Sequence, residues 1–187
     1  MVDGGIRTVL VGERTISIIK TIQIGSLGTG VSLLEQRTEL DSHADTSVVG
    51  QLTALLIHDF MTPVHVHGYV QSVGQSANCR TVSAMVAYDH PMNGNVYMLV
   101  IHQAILIPEM ENNLLCPLQL RDHGVLVNDE PKFLATNPTD DHHAITLPSM
   151  TMNDGEPFQI PLTYQRVTSY FPTRRPTREE YETTPDE

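Results

Sequence analysis

Tryptophan is absent from this chain of 187 residues, and all aromatic residues together make up only 5% of it. The core must therefore be built from Val, Ile, Leu and Met, and the length suffices for one domain with additional segments. Cysteine is almost as rare, with only Cys79 and Cys116 present. Two thiols form neither the disulfide framework of a small secreted protein nor a four-cysteine zinc site, so we expect a reducing, intracellular setting.

Basic residues and long apolar runs are also scarce. Lys and Arg number 11 against 22 Asp and Glu, which gives a formal net charge of −11 at pH 7. Binding nucleic acid by bulk electrostatics needs a basic face, so we expect no nucleic-acid partner. No apolar run approaches the ~20 residues of a membrane span. No basic segment followed by an apolar one opens the chain, so we expect no membrane contact either.

What the sequence does contain is a series of short segments of β-type residues, separated by turn residues. Asn93-Gly94 is the strongest turn signal, because this pair tolerates positive φ, and it predicts a hairpin. Residues 53–60 are expected to form a short helix or turn. Residues 117–124 are expected to form a short helix, with Pro at its start and Gly at its end. The β-type segments are 8–24, 33–40, 47–49, 64–69, 80–88, 96–108 and 125–133. This pattern predicts an all-β fold, as a small closed barrel with one short helix.

The last quarter of the chain differs from the rest in being polar and rich in Pro. Two apolar segments within it, 158–162 and 167–171, are expected to dock on the core. Residues 172–187 are charged and are expected to be disordered or to act as a linker. The predicted division is an N-terminal strand segment at 1–30, a central domain at 31–135, and a polar C-terminal extension or linker at 136–187.

One loop carries the most specific pattern. Residues 40–49 read LDSHADTSVV, so that Asp41 and Ser42 follow an apolar residue and precede an Ala, an Asp and an apolar strand. An Asp-Ser pair in such a position also fits an Asx turn or a helix cap without any catalytic role. The pattern occurs once, so any chemistry that needs two such carboxylates requires a second copy of the chain.

Farther along the chain, residues 104–125 read AILIPEMENNLLCPLQLRDHGV, in which an apolar segment ending in Pro is followed by Asn-Leu-Leu, then by a Gln-Leu pair and a Gly. Together with this block, the loop resembles the protease region of copia-type retrotransposon polyproteins, which has the same elements in the same order and spacing. The resemblance covers residues 31–135 and implies a retropepsin-like domain with one lobe per chain.

The resemblance implies an aspartic endopeptidase that acts on a polypeptide substrate as a homodimer, with no cofactor and no metal. Asp41 would face its twin across a two-fold axis, and two carboxyls about 3 Å apart share one proton because they cannot both ionise. Ser42 would bond to the opposite loop and so fix the pair. His43, Ala44 and Asp45 would line the substrate site, with Asp45 contacting the substrate backbone and Ala44 leaving space beside the carboxyls.

The resemblance further implies a flap within residues 66–86 and a location in the cytoplasm or in a virus-like particle. His43 departs from the pattern, because the family usually has Gly there, which lets backbone N–H groups approach the carboxylate. The resemblance also implies that the strand of Leu114, Leu115 and Cys116 passes beside the catalytic loop, and Cys116 stands where retropepsins have Gly. The alternative function is an inactive or domesticated copy that serves as a binding or dimerisation module.

Other residues offer weaker candidates. Among nine histidines, His58, His65 and His67 could supply metal ligands, with the last two on one face of a strand. Exposed strand histidines are the simpler interpretation, because no Cys or Glu lies at ligand spacing beside them. A Ser-His-Asp triad would lack the Gly-x-Ser-x-Gly elbow. Cys116 lies in an apolar segment, which is typical of a core thiol and not of a nucleophile.

Overall fold

A computed structural model describes the protein at residues 6–11, 14–19, 36–68, 77–151 and 157–183, the first two ranges through their backbone alone. This part of the chain forms thirteen strands and two short helices. The strands are β1 (Ile6–Val11), β2 (Arg14–Ile19), β3 (Arg37–Leu40), β4 (Val48–Val49), β5 (Leu55–Gly68), β6 (Ala77–Asp89), β7 (Val96–Leu106), β8 (Asn113–Leu115), β9 (Leu126–Asn128), β10 (Ala144–Thr151), β11 (Pro157–Pro161), β12 (Thr163–Gln165) and β13 (Thr168–Pro172). The helices are α1 (Pro117–Asp122) and α2 (Arg178–Thr183).

The strands form two sheets. Ten of them pair in the order β12-β13-β3-β8-β4-β7-β6-β5-β1-β2, and the other three pair as β11-β10-β9. The predicted all-β class is confirmed. The closed barrel is not found among the described residues, since the large sheet ends at β12 on one side and β2 on the other. The β1–β2 hairpin pairs with β5 and so extends this sheet outward.

The hairpin predicted at Asn93-Gly94 is confirmed. It joins β6 to β7, with Asp89 opposite Val96 at the last antiparallel pair. Gly94 has φ +69°, a left-handed value that favours glycine. The Asn93 side-chain oxygen accepts a hydrogen bond from the backbone N–H of Asn95 at 2.9 Å, which closes the turn locally.

The predicted helix is found as α1. Pro117 occupies its first position, where the missing N–H leaves no hydrogen bond unmade. Cys116 is the N-cap, and its Sγ accepts from the backbone N–H of Gln119 at 3.3 Å. Gly124 follows the helix with φ +79°, as expected of a residue that ends a helix in the left-handed region.

A second helix, α2, lies in the tail, so the expectation of a single helix is wrong, and disorder is wrong for residues 172–183. Thr177 and Glu180 form a capping box: the Thr177 N–H donates to Glu180 Oε2 at 2.8 Å, and the Glu180 N–H donates to Thr177 Oγ1 at 3.2 Å. Arg174 then connects Glu180 to Asp89 at the end of β6, through bonds of 2.8 and 2.9 Å. These contacts hold a short polar segment against the fold.

The main core packs side chains from both sheets. Val82, Val86 and Tyr88 of β6 pack in it with Phe158 of β11 and Phe171 of β13. The two aromatic side chains from the C-terminal part are each 1% exposed, which confirms that both apolar segments of that part dock on the core. The domain boundaries at residues 30 and 135 stay a prediction.

Two other local predictions differ from the structure. Residues 51–54 form a turn and Leu55 already begins β5, so the turn at 53–60 is found only at its start. The strand expected at 125–133 is limited to β9, which pairs with only three residues of β10. Pro131, three residues after β9 ends at Asn128, lacks the N–H that would extend the ladder.

Candidate active site

The loop that carries Asp41 joins β3 to β4, and β8 lies between these two strands in the sheet. β3 runs parallel to β8 with Leu40 opposite Leu115, while Val48 of β4 lies antiparallel opposite Leu114. The backbone N–H of Asp41 donates to the carbonyl of Leu115 at 3.0 Å. Asp41 therefore stands at the point where β3 ends, with its backbone fixed to the central strand.

The backbone after Asp41 folds over its carboxyl group. The N–H of His43 donates to Asp41 Oδ1 at 3.0 Å, and the N–H of Ala44 donates to the Asp41 carbonyl at 3.2 Å. Burial raises the pKa of Asp41 above that of a free aspartate, although the hydrogen bond from His43 and the charge of that residue oppose the shift. A carboxyl with a raised pKa keeps its proton to higher pH, as a general acid must.

The structure brings the five predicted site residues together in one turn. Ser42 and His43 are exposed, with Ser42 Oγ and His43 Nδ1 at 3.4 Å. Ala44 is only 3% exposed and forms the inner wall of the turn. Asp45 is exposed at its far end. Their predicted roles toward a substrate and a second copy stay predictions.

The end of the loop next to β4 is held by side chains to which the sequence analysis assigns no role. Gln119 Oε1 in α1 accepts from the backbone N–H of Ser47 at 3.0 Å and from its hydroxyl at 2.8 Å. Ser47 Oγ in turn accepts from the N–H of Cys116 at 3.1 Å. The first turn of α1 and the end of the Asp41 loop therefore form one hydrogen-bonded unit.

A second anchor lies beneath β3 and β4. Asn113 of β8 is fully buried, and its Oδ1 accepts from the Gly50 N–H at 3.2 Å and from Thr53 Oγ1 at 2.7 Å. Asn113 Nδ2 donates to Thr38 Oγ1 at 3.4 Å, and Thr38 Oγ1 lies 2.8 Å from Thr173 Oγ1. One polar chain therefore connects the two strands beside the loop to the C-terminal part.

The sequence contains a signal for both of these hydrogen-bonding side chains. Asn113 is the Asn of the Asn-Leu-Leu block, and Gln119 is the Gln of the Gln-Leu pair, on which the family resemblance partly depends. The structure supplies the physical reason that these residue types belong there.

Two cavities border the loop within the part of the chain that the structure describes. One, of about 270 Å³, is walled by Thr46 of the loop together with side chains of β5, β6, β7 and α1. The other, of about 450 Å³, is mostly apolar and lies between β7, α1, β10 and β11. Asp41 is not among the described residues that line either cavity. The flap predicted within residues 66–86 stays a prediction: β5 and β6 pair antiparallel, and the residues 69–76 that join them lie outside the described residues.

The competing sites receive no support from the described side chains. No three His, Cys, Asp or Glu side chains within them come together as a metal site, and the side chain of His67 lies outside them. Cys116 is fully buried, and burial raises the pKa of its thiol, which keeps the sulfur protonated and a poor nucleophile.

No helix in the described part of the chain has the length and apolar character needed to cross a bilayer. Comparisons of this chain with known protein families, with curated proteins and with solved structures find no match.

Proposed function

We propose that this chain is one half of a homodimeric aspartic endopeptidase with a retropepsin-like lobe. Its substrate is polypeptide, such as the polyprotein of a retrotransposon, and it works inside the cell without a cofactor. The observation that carries the proposal is the position of Asp41, half-buried in a turn between β3 and β4, with β8 running between these two strands.

The strand arrangement also supports the proposal. The resemblance implies that the segment around Leu115 passes beside the catalytic loop, and β8 is the strand to which Asp41 bonds. A turn that merely reverses the chain does not need a third strand between its arms. Here the central strand fixes the direction in which the carboxyl leaves the sheet, as a site shared by two copies requires.

The chemistry follows from pairing two such carboxyls. Asp41 of one copy, ionised, takes a proton from water, and protonated Asp41 of the other donates a hydrogen bond to the scissile carbonyl. Burial already raises the pKa of this group in a single chain. A second carboxylate nearby raises one pKa of the pair further, because two like charges in one site cannot both persist.

His43 does not prevent this arrangement. Its N–H still reaches Asp41 Oδ1 at 3.0 Å, although the residue carries a side chain where the family usually has none. His43 is not one of the described residues with positive φ, so the turn does not need glycine for conformational reasons. The imidazole is exposed and leaves the backbone contact intact. These features favour an active loop over a purely structural module.

The test is cleavage of an unfolded protein substrate at about pH 4–6, near the upper pKa of an aspartate pair. We expect the native chain to cut and to be inhibited by pepstatin-type compounds, and Asp41→Asn to lose activity by several orders of magnitude. A chelator should have no effect. Asp122→Asn is the matched control, because it removes an exposed carboxylate that lies in α1 outside the loop and should keep most of the activity.

Cleavage by Asp41→Asn at the native rate would remove this residue from the mechanism. Sedimentation of the native chain provides the second test, since a strict monomer at high concentration leaves Asp41 without its partner. A dimer that binds peptides and never cuts them would instead identify the binding module.

A further inference from the structure

Two of the irregularities in the strand pairing lie beside the 270 Å³ cavity. The pairing of β5 with β6 shifts between Asp59 and Pro63, where Met61 adopts φ 56°. The pairing of β6 with β7 shifts near Val82, and Gln103 on β7 adopts φ 55°. Extra residues in a strand re-aim side chains, and a non-glycine residue held at positive φ stores strain.

Both irregularities direct side chains to one place. Phe60 and Thr62, which flank Met61, line the cavity from β5, and Gln103 lines it from β7. Thr46, five residues beyond Asp41 in the loop, forms the wall on the side of the candidate active site. Both bends therefore lie at or next to residues that line a single space beside the loop.

The side chains that line this cavity share one chemical property, the absence of charge. Every described lining residue is uncharged, and most carry a hydroxyl or amide group. At about 270 Å³ the cavity is slightly smaller than the ~300 Å³ at which small-molecule pockets begin. It therefore fits one amino-acid side chain better than a whole ligand, and burying an unpaired charge there is costly.

We propose that this cavity is a subsite for one uncharged substrate side chain with an apolar stem and a hydrogen-bonding head, such as Gln or Asn. Gln103 is the residue that determines this selectivity, because its amide can donate to or accept from that head. The proposal rests on the proposed endopeptidase function for its biological use, but peptide binding at the cavity does not require cleavage.

The test uses Asp41→Asn protein, so that binding is measured without turnover. Acetylated peptide pools with a single position fixed as Gln, Leu, Lys or Asp are titrated by fluorescence polarisation. We expect one position at which Gln binds roughly tenfold more tightly than Lys or Asp, within the range that a shaped pocket achieves. Adding Gln103→Glu should reverse the order so that Lys is preferred, because the new carboxylate pairs with an ammonium group.

Two further variants complete the experiment. Gln103→Gly removes the side chain without risk to folding, because glycine adopts positive φ freely, and it should abolish the preference for Gln. Gln51→Glu adds the same charge at an exposed position outside the cavity and should leave the preference unchanged. Unchanged selectivity in both Gln103 variants, or no peptide binding at all, overturns the subsite.

The two proposals fail separately. If native protein cuts peptides while the Gln103 variants keep the same preference, the endopeptidase stands and the subsite is wrong. If Asp41→Asn binds with the expected selectivity while native protein never cuts, the subsite stands and the endopeptidase is wrong.

Discussion

Replacing Asn113 by Ala tests whether the buried polar chain holds the Asp41 loop in place. The side chain is fully buried and makes three hydrogen bonds, to Gly50, Thr53 and Thr38. Two of these partners keep another bond in the variant: the Thr53 hydroxyl still donates to the Gly50 carbonyl at 3.2 Å, and Thr38 keeps Thr173 at 2.8 Å. Only the Gly50 N–H loses its sole described acceptor.

The expected loss of stability follows from the hydrogen bonds that the variant loses and keeps. One buried donor without a partner costs about 1–3 kcal/mol, and the other lost bonds and the small void add roughly 1 kcal/mol. We therefore expect the free energy of unfolding to fall by about 2–4 kcal/mol, a large share of the ~5–15 kcal/mol of an ordinary domain.

Urea unfolding followed by circular dichroism measures this change, because the chain has no Trp to report it by fluorescence. Asn112→Ala is the matched control: this neighbour is partly exposed, and its single bond to Glu39, at 3.2 Å, should be worth below about 1 kcal/mol. Equal losses of unfolding free energy in the two variants would refute the reasoning, because burial of Asn113 and the unpaired Gly50 N–H would then make no difference to stability.

Three further predictions concern the loop and the tail. A Cβ added at Gly50 would clash with a backbone carbonyl oxygen, so Gly50→Ala should unfold at a far lower urea concentration than the native chain. An unchanged midpoint of unfolding would contradict this close packing. Burial raises the pKa of Asp41, and the charge of His43 opposes this shift. The His43→Gly variant should therefore move the acidic limb of the pH–rate profile to higher pH. An acidic limb that stays in place or moves to lower pH would contradict this prediction. A hydrogen bond from Arg174 lowers the pKa of Glu180 to about 2, so its stabilisation of α2 is complete above the ordinary value and declines as pH falls from that value through about 2. Near pH ~5, amide exchange in α2 should be slower in the native chain than in Glu180→Gln, whereas equal rates would contradict the contact.

Features with local causes were predictable from the sequence. The β6–β7 hairpin depends on alternation and on Asn93-Gly94, and α1 depends on Pro117 and Gly124, all of which act within a few residues. The position of Asp41 at the end of a strand was predicted from the residues around it. What these features share is that neighbours along the chain determine them.

Features with distant causes were not predictable. α2 is held by Arg174, whose second partner, Asp89, lies 85 residues away in sequence. Gln119 acts on Ser47 across 72 residues. A single sequence does not specify which distant partner a polar side chain meets, so the sequence alone predicts disorder or a linker for the short polar tail.

The strand that leads into Asp41 acquires one of its neighbours only after β13 has been synthesised. β3 pairs with β13, and Thr38 contacts Thr173, 135 positions farther on. Because a polypeptide emerges from the ribosome starting at its N-terminus, a nascent chain still short of β13 has this flank of β3 exposed. In the proposed endopeptidase, the strand before Asp41 would therefore be flanked on both sides only after translation has passed β13, which would delay the onset of cutting.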